Sequence, residues 1–200
     1  MLLLTFLGGI ASAFAAIFFE LIASRAMPAF SIHAATSNTL YFFLVIAFIE
    51  EYMKYAAVRF LIINRPDFDE PIDAMIYMMT AALGFAAIEN ALFLVPLFNQ
   101  SILSGVELTA NRFLGANLLH ALSSGIVGFF LARAFFSPRR HHFVAIGVVL
   151  ASVLHAAFNY LIILRESVNE GTIYIILLLF TMSIIVFMDF ERLKEKSLDS

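Results

Sequence analysis

The sequence predicts an all-α fold, a polytopic transmembrane helical bundle of about six spans with both termini in the cytoplasm. Three observations predict it: an apolar composition, six long apolar runs and an alternating distribution of basic residues. Of the 200 residues, 62% are hydrophobic, and the mean hydropathy is +0.94. A soluble globular domain is closer to one-half apolar, so this composition indicates a membrane protein.

Each of the six runs is long enough to cross roughly 30 Å of hydrocarbon as a helix. Their approximate limits are Leu2–Ile22, Thr39–Ile63, Ile72–Phe98, Phe113–Phe136, Phe143–Leu164 and Ile173–Phe190. Helix breakers fall between the runs or at their ends, at Pro28, Pro66, Pro71, Pro96 and Pro138. Strand-like alternation is absent, and helices satisfy their own backbone polar groups in lipid.

Local features support the individual spans. The first run has no basic start of the kind that signal peptides carry, so we interpret it as a retained helix. The third begins at Pro71 after the acidic stretch "DFDE", which suits a helix start. With no internal repeat visible, residues 1–200 are predicted to form a single integral-membrane domain, whose functional core covers about 39–164.

The basic residues set the orientation. Of the twelve, nine lie at or near the second connection, at or near the fourth connection, or in the C-terminal tail: Lys54, Arg59, Arg65, Arg133, Arg139, Arg140, Arg192, Lys194 and Lys196. The other connections hold one each, at Arg25, Arg112 and Arg165. By the positive-inside rule this alternation places both termini in the cytoplasm.

Charge and cysteine content exclude several kinds of function. A formal net charge of −3 gives no reason to expect a nucleic-acid partner. The sequence contains no cysteine, which excludes disulfides, thiolate metal ligands and a cysteine nucleophile.

Ionisable and amide side chains inside the spans are the candidate functional residues, because a charge near the bilayer centre costs several kcal/mol. They are Glu50, Glu51 and Lys54 in the second span, Glu89 and Asn90 in the third, Asn117 and His120 in the fourth, and His155 and Asn159 in the fifth. At about 1.5 Å of rise per residue, the acids and histidines lie about 10–17 Å below the outer ends of their helices. This common depth predicts one shared site in the outer half of the membrane.

The spacing of these residues is compatible with a common wall. Asn117, His120 and Ser124 follow one helical stripe, as do Ser152, His155 and Asn159. We interpret the small residues of these stripes as helix packing and the two histidines as functional. Glu20 lies near an interface and is expected to reach water.

Glu50 and Glu51 are adjacent carboxylates. The i, i+4 spacing of Glu50 and Lys54 favours an ion pair, which leaves Glu51 without a partner. Two adjacent carboxylates cannot both be ionised cheaply in a medium of low dielectric constant. A carboxyl group able to take up a proton is what general acid–base catalysis requires.

The ordered motifs resemble those of the PrsW family of intramembrane proteases. They are "EEYMK" (50–54), "GFAAIEN" (84–90), the histidine of "NLLHALSSGIVG" (117–128) and "HAAFN" (155–159). The family is similar in turn to the type II CAAX prenyl proteases and their abortive-infection relatives. The chain departs from the pattern at Phe93, where many members carry a tyrosine.

The resemblance implies an intramembrane endopeptidase in the plasma membrane, which would cleave a single-pass membrane protein, such as an anti-sigma factor, near the extracytoplasmic side. On this hypothesis Glu50 and Glu51, with His120, activate a water, and Glu89 orients the histidine or shares the proton load. His155 and Asn159 stabilise the oxyanion or hold the water. Lys54, Asn90 and Asn117 support the site.

A metal site is an open alternative. His120, His155, Glu89 and Glu51 offer nitrogen and oxygen ligands of the kind that catalytic zinc takes. Since the His-Glu-x-x-His signature is absent, the spacing does not require a metal.

Two other function classes fit buried acids and histidines. A proton- or cation-coupled transporter would use them as a relay, although inverted repeats and broken helices, typical of transporters, are not visible. A non-catalytic membrane binding protein of the same fold is the third class.

Overall fold

A computed structural model of the chain describes residues 1–26, 36–98, 113–134, 140–165 and 171–198. These residues form six α-helices. They are α1 (Leu2–Ala26), α2 (Thr36–Leu61), α3 (Pro71–Phe98), α4 (Leu118–Ala134), α5 (Arg140–Leu164) and α6 (Gly171–Leu198). A π-helical turn, Phe113–Asn117, leads into α4. No strand occurs within these ranges, so the predicted all-α class is confirmed.

Each predicted span corresponds to one helix, although some limits differ. Helix α6 continues to Leu198, eight residues beyond the predicted end at Phe190. Pro96, predicted as a breaker, lies in the last turn of α3. At the other end of α3, the Asp73 carboxylate accepts hydrogen bonds from the backbone N–H groups of Asp69 and Glu70 and caps the helix start. Pro28, Arg112, Phe136, Pro138 and Arg139 lie outside the described residues.

Five of these helices are long and apolar enough to cross a membrane, namely α1, α3, α4 with the preceding turn, α5 and α6. Helix α2 has 26 residues, about 39 Å, and its length is also sufficient. It differs from the other five helices only in being less apolar, because Glu50, Glu51, Lys54 and Arg59 lie within it. The first three of these residues are buried inside the bundle, so their charges do not contact lipid.

The outer surface of the bundle is apolar. Large side chains such as Phe14, Phe18, Phe60, Phe180 and Phe187 are each more than half exposed. A soluble protein rarely exposes apolar surface on this scale, whereas lipid favours it. With the apolar helices, this surface identifies a multi-pass membrane protein.

Five helices close a ring in the order α1, α3, α4, α5 and α2, and α2 packs back on α1. Helix α6 lies outside the ring against α3, α4 and α5, where Met182 and Val186 are buried. Helices α3 and α4 are antiparallel, since Met75 contacts Gly128 towards one end and Glu89 contacts His120 towards the other. The ring therefore surrounds the residues that the sequence singles out.

Two glycines allow α1 and α3 to approach closely. A Cβ at Gly9 would lie 2.0 Å from the Ala81 carbonyl oxygen, and a Cβ at Gly84 would lie 2.0 Å from that of Phe6. Both obstacles are backbone atoms, which cannot move aside without separating the helices. We expect Gly84→Ala to destabilise the protein by about 1–3 kcal/mol.

Thermal unfolding in detergent measures this loss. The matched control is Gly115→Ala, whose added methyl would meet, among the described residues, only the ring tip of Phe158, at 3.4 Å. Equal stability of the two variants would contradict a tight α1–α3 contact.

Candidate active site

Glu51 is the most completely bonded carboxylate of the described residues. Its Oε1 accepts hydrogen bonds from Lys54 Nζ at 2.8 Å, Ser123 Oγ at 2.8 Å and His155 Nδ1 at 2.9 Å. Its Oε2 accepts one from Ser124 Oγ at 3.0 Å. The residue is 0% exposed, and its partners come from α2, α4 and α5. Glu51 therefore ties three helices of the ring together.

These contacts determine which ring nitrogen of His155 carries the proton. An ionised carboxylate only accepts hydrogen bonds, so Nδ1 of His155 donates to Glu51. The other ring nitrogen, Nε2, then carries a lone pair and lies 3.7 Å from Glu50 Oε2. His155 thus presents an acceptor nitrogen towards Glu50.

His120 is held in the same manner by a different acid. Its Nε2 donates to Glu89 Oε2 at 2.6 Å, and its Nδ1 accepts a hydrogen bond from Lys54 Nζ at 2.8 Å. The Lys54 ammonium also lies 4.5 Å from the centre of the Phe85 ring, a cation–π distance. Lys54 therefore links the Glu51 cluster to His120.

Glu50 differs from Glu51 although the two are adjacent. It is 7% exposed, and its Oε2 is buried without a hydrogen-bond partner among the described residues. This oxygen lies 3.7 Å from His155 Nε2, 3.9 Å from His120 Nδ1 and 3.7 Å from Lys54 Nζ. Glu50 is thus the acid with a free oxygen facing both imidazoles.

A cavity of about 710 Å³ opens beside this group. Its polar wall residues include Glu20, Glu50, Glu89, His120, His155 and Asn159. The rest of the wall is mainly apolar, with several phenylalanines. Glu51 and Lys54 do not line the cavity, so they support the wall from behind it. The site can accept an apolar ligand beside carboxylate and imidazole groups.

The structure brings most of the predicted residues into one cluster. Glu50, Glu51, Lys54, Glu89, His120 and His155 are connected through the contacts above, and Asn159 lines the cavity. Asn90 and Asn117 form a separate pair, in which Asn90 Nδ2 donates to Asn117 Oδ1 at 2.6 Å. This bond joins α3 to the π-helical turn before α4.

Two details differ from the sequence interpretation. The spacing favoured Glu50 as the partner of Lys54, but the closer acid is Glu51, at 2.8 Å against 3.7 Å. The metal set expected from sequence joined the histidines to Glu51 and Glu89. In the structure, Glu51 accepts a hydrogen bond from His155 Nδ1, and Glu89 accepts one from His120 Nε2. Glu50 instead faces the other ring nitrogen of each histidine.

Sequence reasoning missed three contributors. Ser124 was interpreted as a packing residue and Ser123 was not singled out, yet both donate to Glu51. Their position in "HALSS", one turn after His120, was the available signal. Glu20 was expected only to reach water, but it lines the cavity. Glu20 lies in α1, which carries none of the motifs, so no sequence signal marked this position.

Glu50 and the two histidines it faces, His120 and His155, form a group that can hold a metal ion. One ligand atom from each lies within 4.8 Å of the others. Two imidazoles and one carboxylate are a frequent catalytic zinc set, and an acid that orients the second nitrogen of each ligand histidine is typical of such sites. Metal binding through His120 Nδ1 would require Lys54 to release that nitrogen while it keeps its bond to Glu51.

The fold and the site define a polytopic helical membrane protein with a buried carboxylate–imidazole centre beside an apolar cavity. The sequence profile of the PrsW family of intramembrane metalloproteases matches residues 1–188. The chain therefore belongs to the PrsW family.

Curated relatives are similar over part of their length. "Protease PrsW" of Geobacillus kaustophilus is 34% identical over 125 residues, which cover 62% of this chain and 52% of the relative. The Bacillus subtilis protein of that name is 32% identical over 122 residues, or 60% and 53% of the two chains. That of Clostridioides difficile is 25% identical over 155 residues, or 74% and 64%. The chain thus spans about half the length of the first two relatives. No solved structure shows a significant match.

Proposed function

We propose that this protein is an intramembrane endopeptidase that hydrolyses a peptide bond of a membrane-protein substrate near the extracytoplasmic side. The observation that carries the proposal is the Glu50 carboxylate. Its Oε2 is buried, has no hydrogen-bond partner among the described residues, and faces two imidazoles on the wall of a cavity. An acceptor in this position is suited to activate water.

In the proposed reaction Glu50 acts first as a general base. A water between Glu50 and the scissile carbonyl gives a proton to Oε2 while its oxygen bonds to the carbonyl carbon. The carbonyl electron pair moves to oxygen and forms an oxyanion. When the C–N bond breaks, protonated Glu50 gives the proton to the leaving amine, and the carboxylate is restored.

His155 and Asn159 are one turn apart on α5, and both line the cavity. The Nε2 of His155 can accept a hydrogen bond from the attacking water, because Glu51 keeps the proton on Nδ1. The Asn159 amide can donate to the oxyanion. Glu89 keeps the orientation of His120. These roles follow the sequence hypothesis, except that Glu51 acts as a positioning residue.

Glu50, His120 and His155 are the residues that would hold a zinc ion, and in that form Glu50 would be a ligand instead of the general base. Zinc would supply a Lewis acid that polarises the scissile carbonyl and makes water more acidic.

The substrate proposed is a single-pass membrane protein of the anti-sigma-factor kind, which the family resemblance suggests. The cavity lies between the predicted outer halves of the helices, where such a substrate could be cleaved beside its membrane segment. The predicted orientation supports an extracytoplasmic cleavage position.

The test uses the purified protein in liposomes with a panel of single-pass membrane proteins, and mass spectrometry maps the products. We expect cleavage by the wild type and none by a folded His155→Ala variant. The control is Glu191→Gln, at a residue of α6 whose side chain is 42% exposed. Proton flux that His155→Ala abolishes, without cleavage, would instead indicate a transporter. Binding without cleavage or flux would indicate a non-catalytic protein.

The same preparations decide whether zinc takes part. About one zinc per wild-type chain that is lost in His155→Ala, with activity that a chelator removes and added zinc restores, would show a metal site in which Glu50 is a ligand. Cleavage that persists in chelator, with no zinc bound, would leave Glu50 and the histidines as a metal-free site.

A further inference from the structure

Glu20 is a carboxylate on the cavity wall that the proposed chemistry does not use. It lies in the candidate span Leu2–Arg25, about 27 Å along α1 from the first helical residue. The side chain is partly buried and forms no hydrogen bond or ion pair with any residue that the structure describes. A carboxylate inside a membrane segment usually faces a partner or a water-filled cavity.

The charges around this cavity are unequal. Three carboxylates, Glu20, Glu50 and Glu89, line it, whereas Arg165 is the basic residue among the described wall residues. Lys54 is bonded to Glu51 behind the wall and does not face the cavity. Arg165 is exposed at the end of α5. The wall therefore carries three carboxyl groups but one guanidinium group.

Glu50 supplies a second, independent observation. It is more than nine-tenths buried and has a carboxylate oxygen without a hydrogen-bond partner in the described residues. An acidic wall with low-dielectric surroundings attracts cations more strongly than the same charges would in water. A positively charged ligand group would therefore be favoured in this cavity.

We propose that Glu20 is a specificity residue that binds a Lys or Arg side chain of the substrate close to the cleaved bond. The inference rests on the proposed function and adds a substrate class to it. Apolar wall residues such as Phe42, Phe43 and Phe158 receive the neighbouring apolar residues. The preferred segment is then an apolar stretch with one basic residue in it.

In this arrangement Glu50 takes part in the reaction, whereas Glu20 binds a substrate side chain. Glu50 faces the imidazoles, whereas Glu20 comes from α1 on another part of the ring. Loss of the Glu20 charge should therefore weaken the binding of basic substrates more than the binding of uncharged substrates.

The experiment uses the reconstituted wild type and the variants Glu20→Gln and Glu20→Lys. The substrates are one cleaved segment in which a single Lys is moved through the positions that flank the scissile bond, with Met and Glu at each position as comparisons. We expect at least one position where the wild type prefers Lys over Met by about tenfold in kcat/KM. Glu20→Gln should abolish that preference, so that the Lys and Met substrates have similar kcat/KM, and Glu20→Lys should favour the Glu substrate.

Binding of the same peptides, measured by fluorescence anisotropy, is a readout independent of cleavage. The matched control is Glu191→Gln, which should keep the wild-type preference. Two results would overturn the proposal: no Lys preference at any position in the wild type, or a preference that Glu20→Gln retains. If no peptide is cleaved, the proposed function fails, while the binding preference still tests the role of Glu20.

Discussion

Replacing Glu50 by glutamine is expected to lower kcat for peptide cleavage by about 10²–10⁴-fold and leave the bundle folded. The amide has nearly the shape of the carboxylate but cannot take a proton from water. Because Glu50 Oε2 makes no hydrogen bond with a described residue, the substitution breaks none at that oxygen. It also removes a buried charge, which is expensive in a membrane segment.

The adjacent acid is expected to respond differently. Glu51→Gln replaces one acceptor oxygen by a donor in a position where every contacting group is itself a donor. It should therefore lower stability as well as activity.

The measurement is kcat on a mapped substrate together with thermal unfolding of each purified variant. Glu191→Gln, on the exposed part of α6, should match the wild type in both. A Glu50→Gln protein with normal kcat would exclude Glu50 as the base. If Glu51→Gln instead were stable and inactive, the assignment of the two acids would be reversed.

The helices could be predicted from sequence because their length and hydrophobicity are local properties. The start of α3 at Pro71 was predicted to within one residue, since a first-turn proline is a local signal. The end of α6 was predicted too early because the apolar run ends at Phe190, before the helix does. Its tail "ERLKEKSL" is polar but rich in good helix formers, and it continues the helix.

The membership of the site was largely predictable, whereas its internal roles were not. Charged residues inside apolar spans must face one another, and this places Glu50, Glu51, Glu89, His120 and His155 together. Adjacent helical residues differ by about 100° in direction. Which of Glu50 and Glu51 faces the cavity depends on how α2 is rotated against α1, α4 and α5, and that rotation is set by tertiary packing.

The acid that pairs with Lys54 could not be predicted from the sequence either. It follows Glu50 by four residues and Glu51 by three, and both spacings place side chains next to each other on a helix. The sequence could not choose between them. The two serines on α4 decide the outcome, because they hold Glu51 on the same side as Lys54.

The second large effect concerns the stability of this buried pair. Lys54 and Glu51 are both 0% exposed, and their charged atoms lie 2.8 Å apart. Removal of one member of a buried ion pair leaves the other charge uncompensated and typically costs about 3–5 kcal/mol. We therefore expect Lys54→Met and Glu51→Leu each to lower the free energy of unfolding by about this amount.

The double variant distinguishes a pair from two independent residues. When both charges are replaced by apolar groups, no uncompensated ion remains, so the loss should be smaller than the sum of the single losses by about 2 kcal/mol or more. The loss should not vanish, because Ser123, Ser124 and His155 would still be without their acceptor.

Unfolding by a denaturing detergent, followed by circular dichroism, measures these differences. Lys194→Met is the matched control, because Lys194 is exposed and its ion pair with Glu191 has a separation of 3.9 Å. Its effect should stay within about 1 kcal/mol. Additive losses in the double variant would show that Glu51 and Lys54 act separately. The alignment of His155 would then depend on Glu51 alone, and Lys54 would serve the site only through its hydrogen bond to His120.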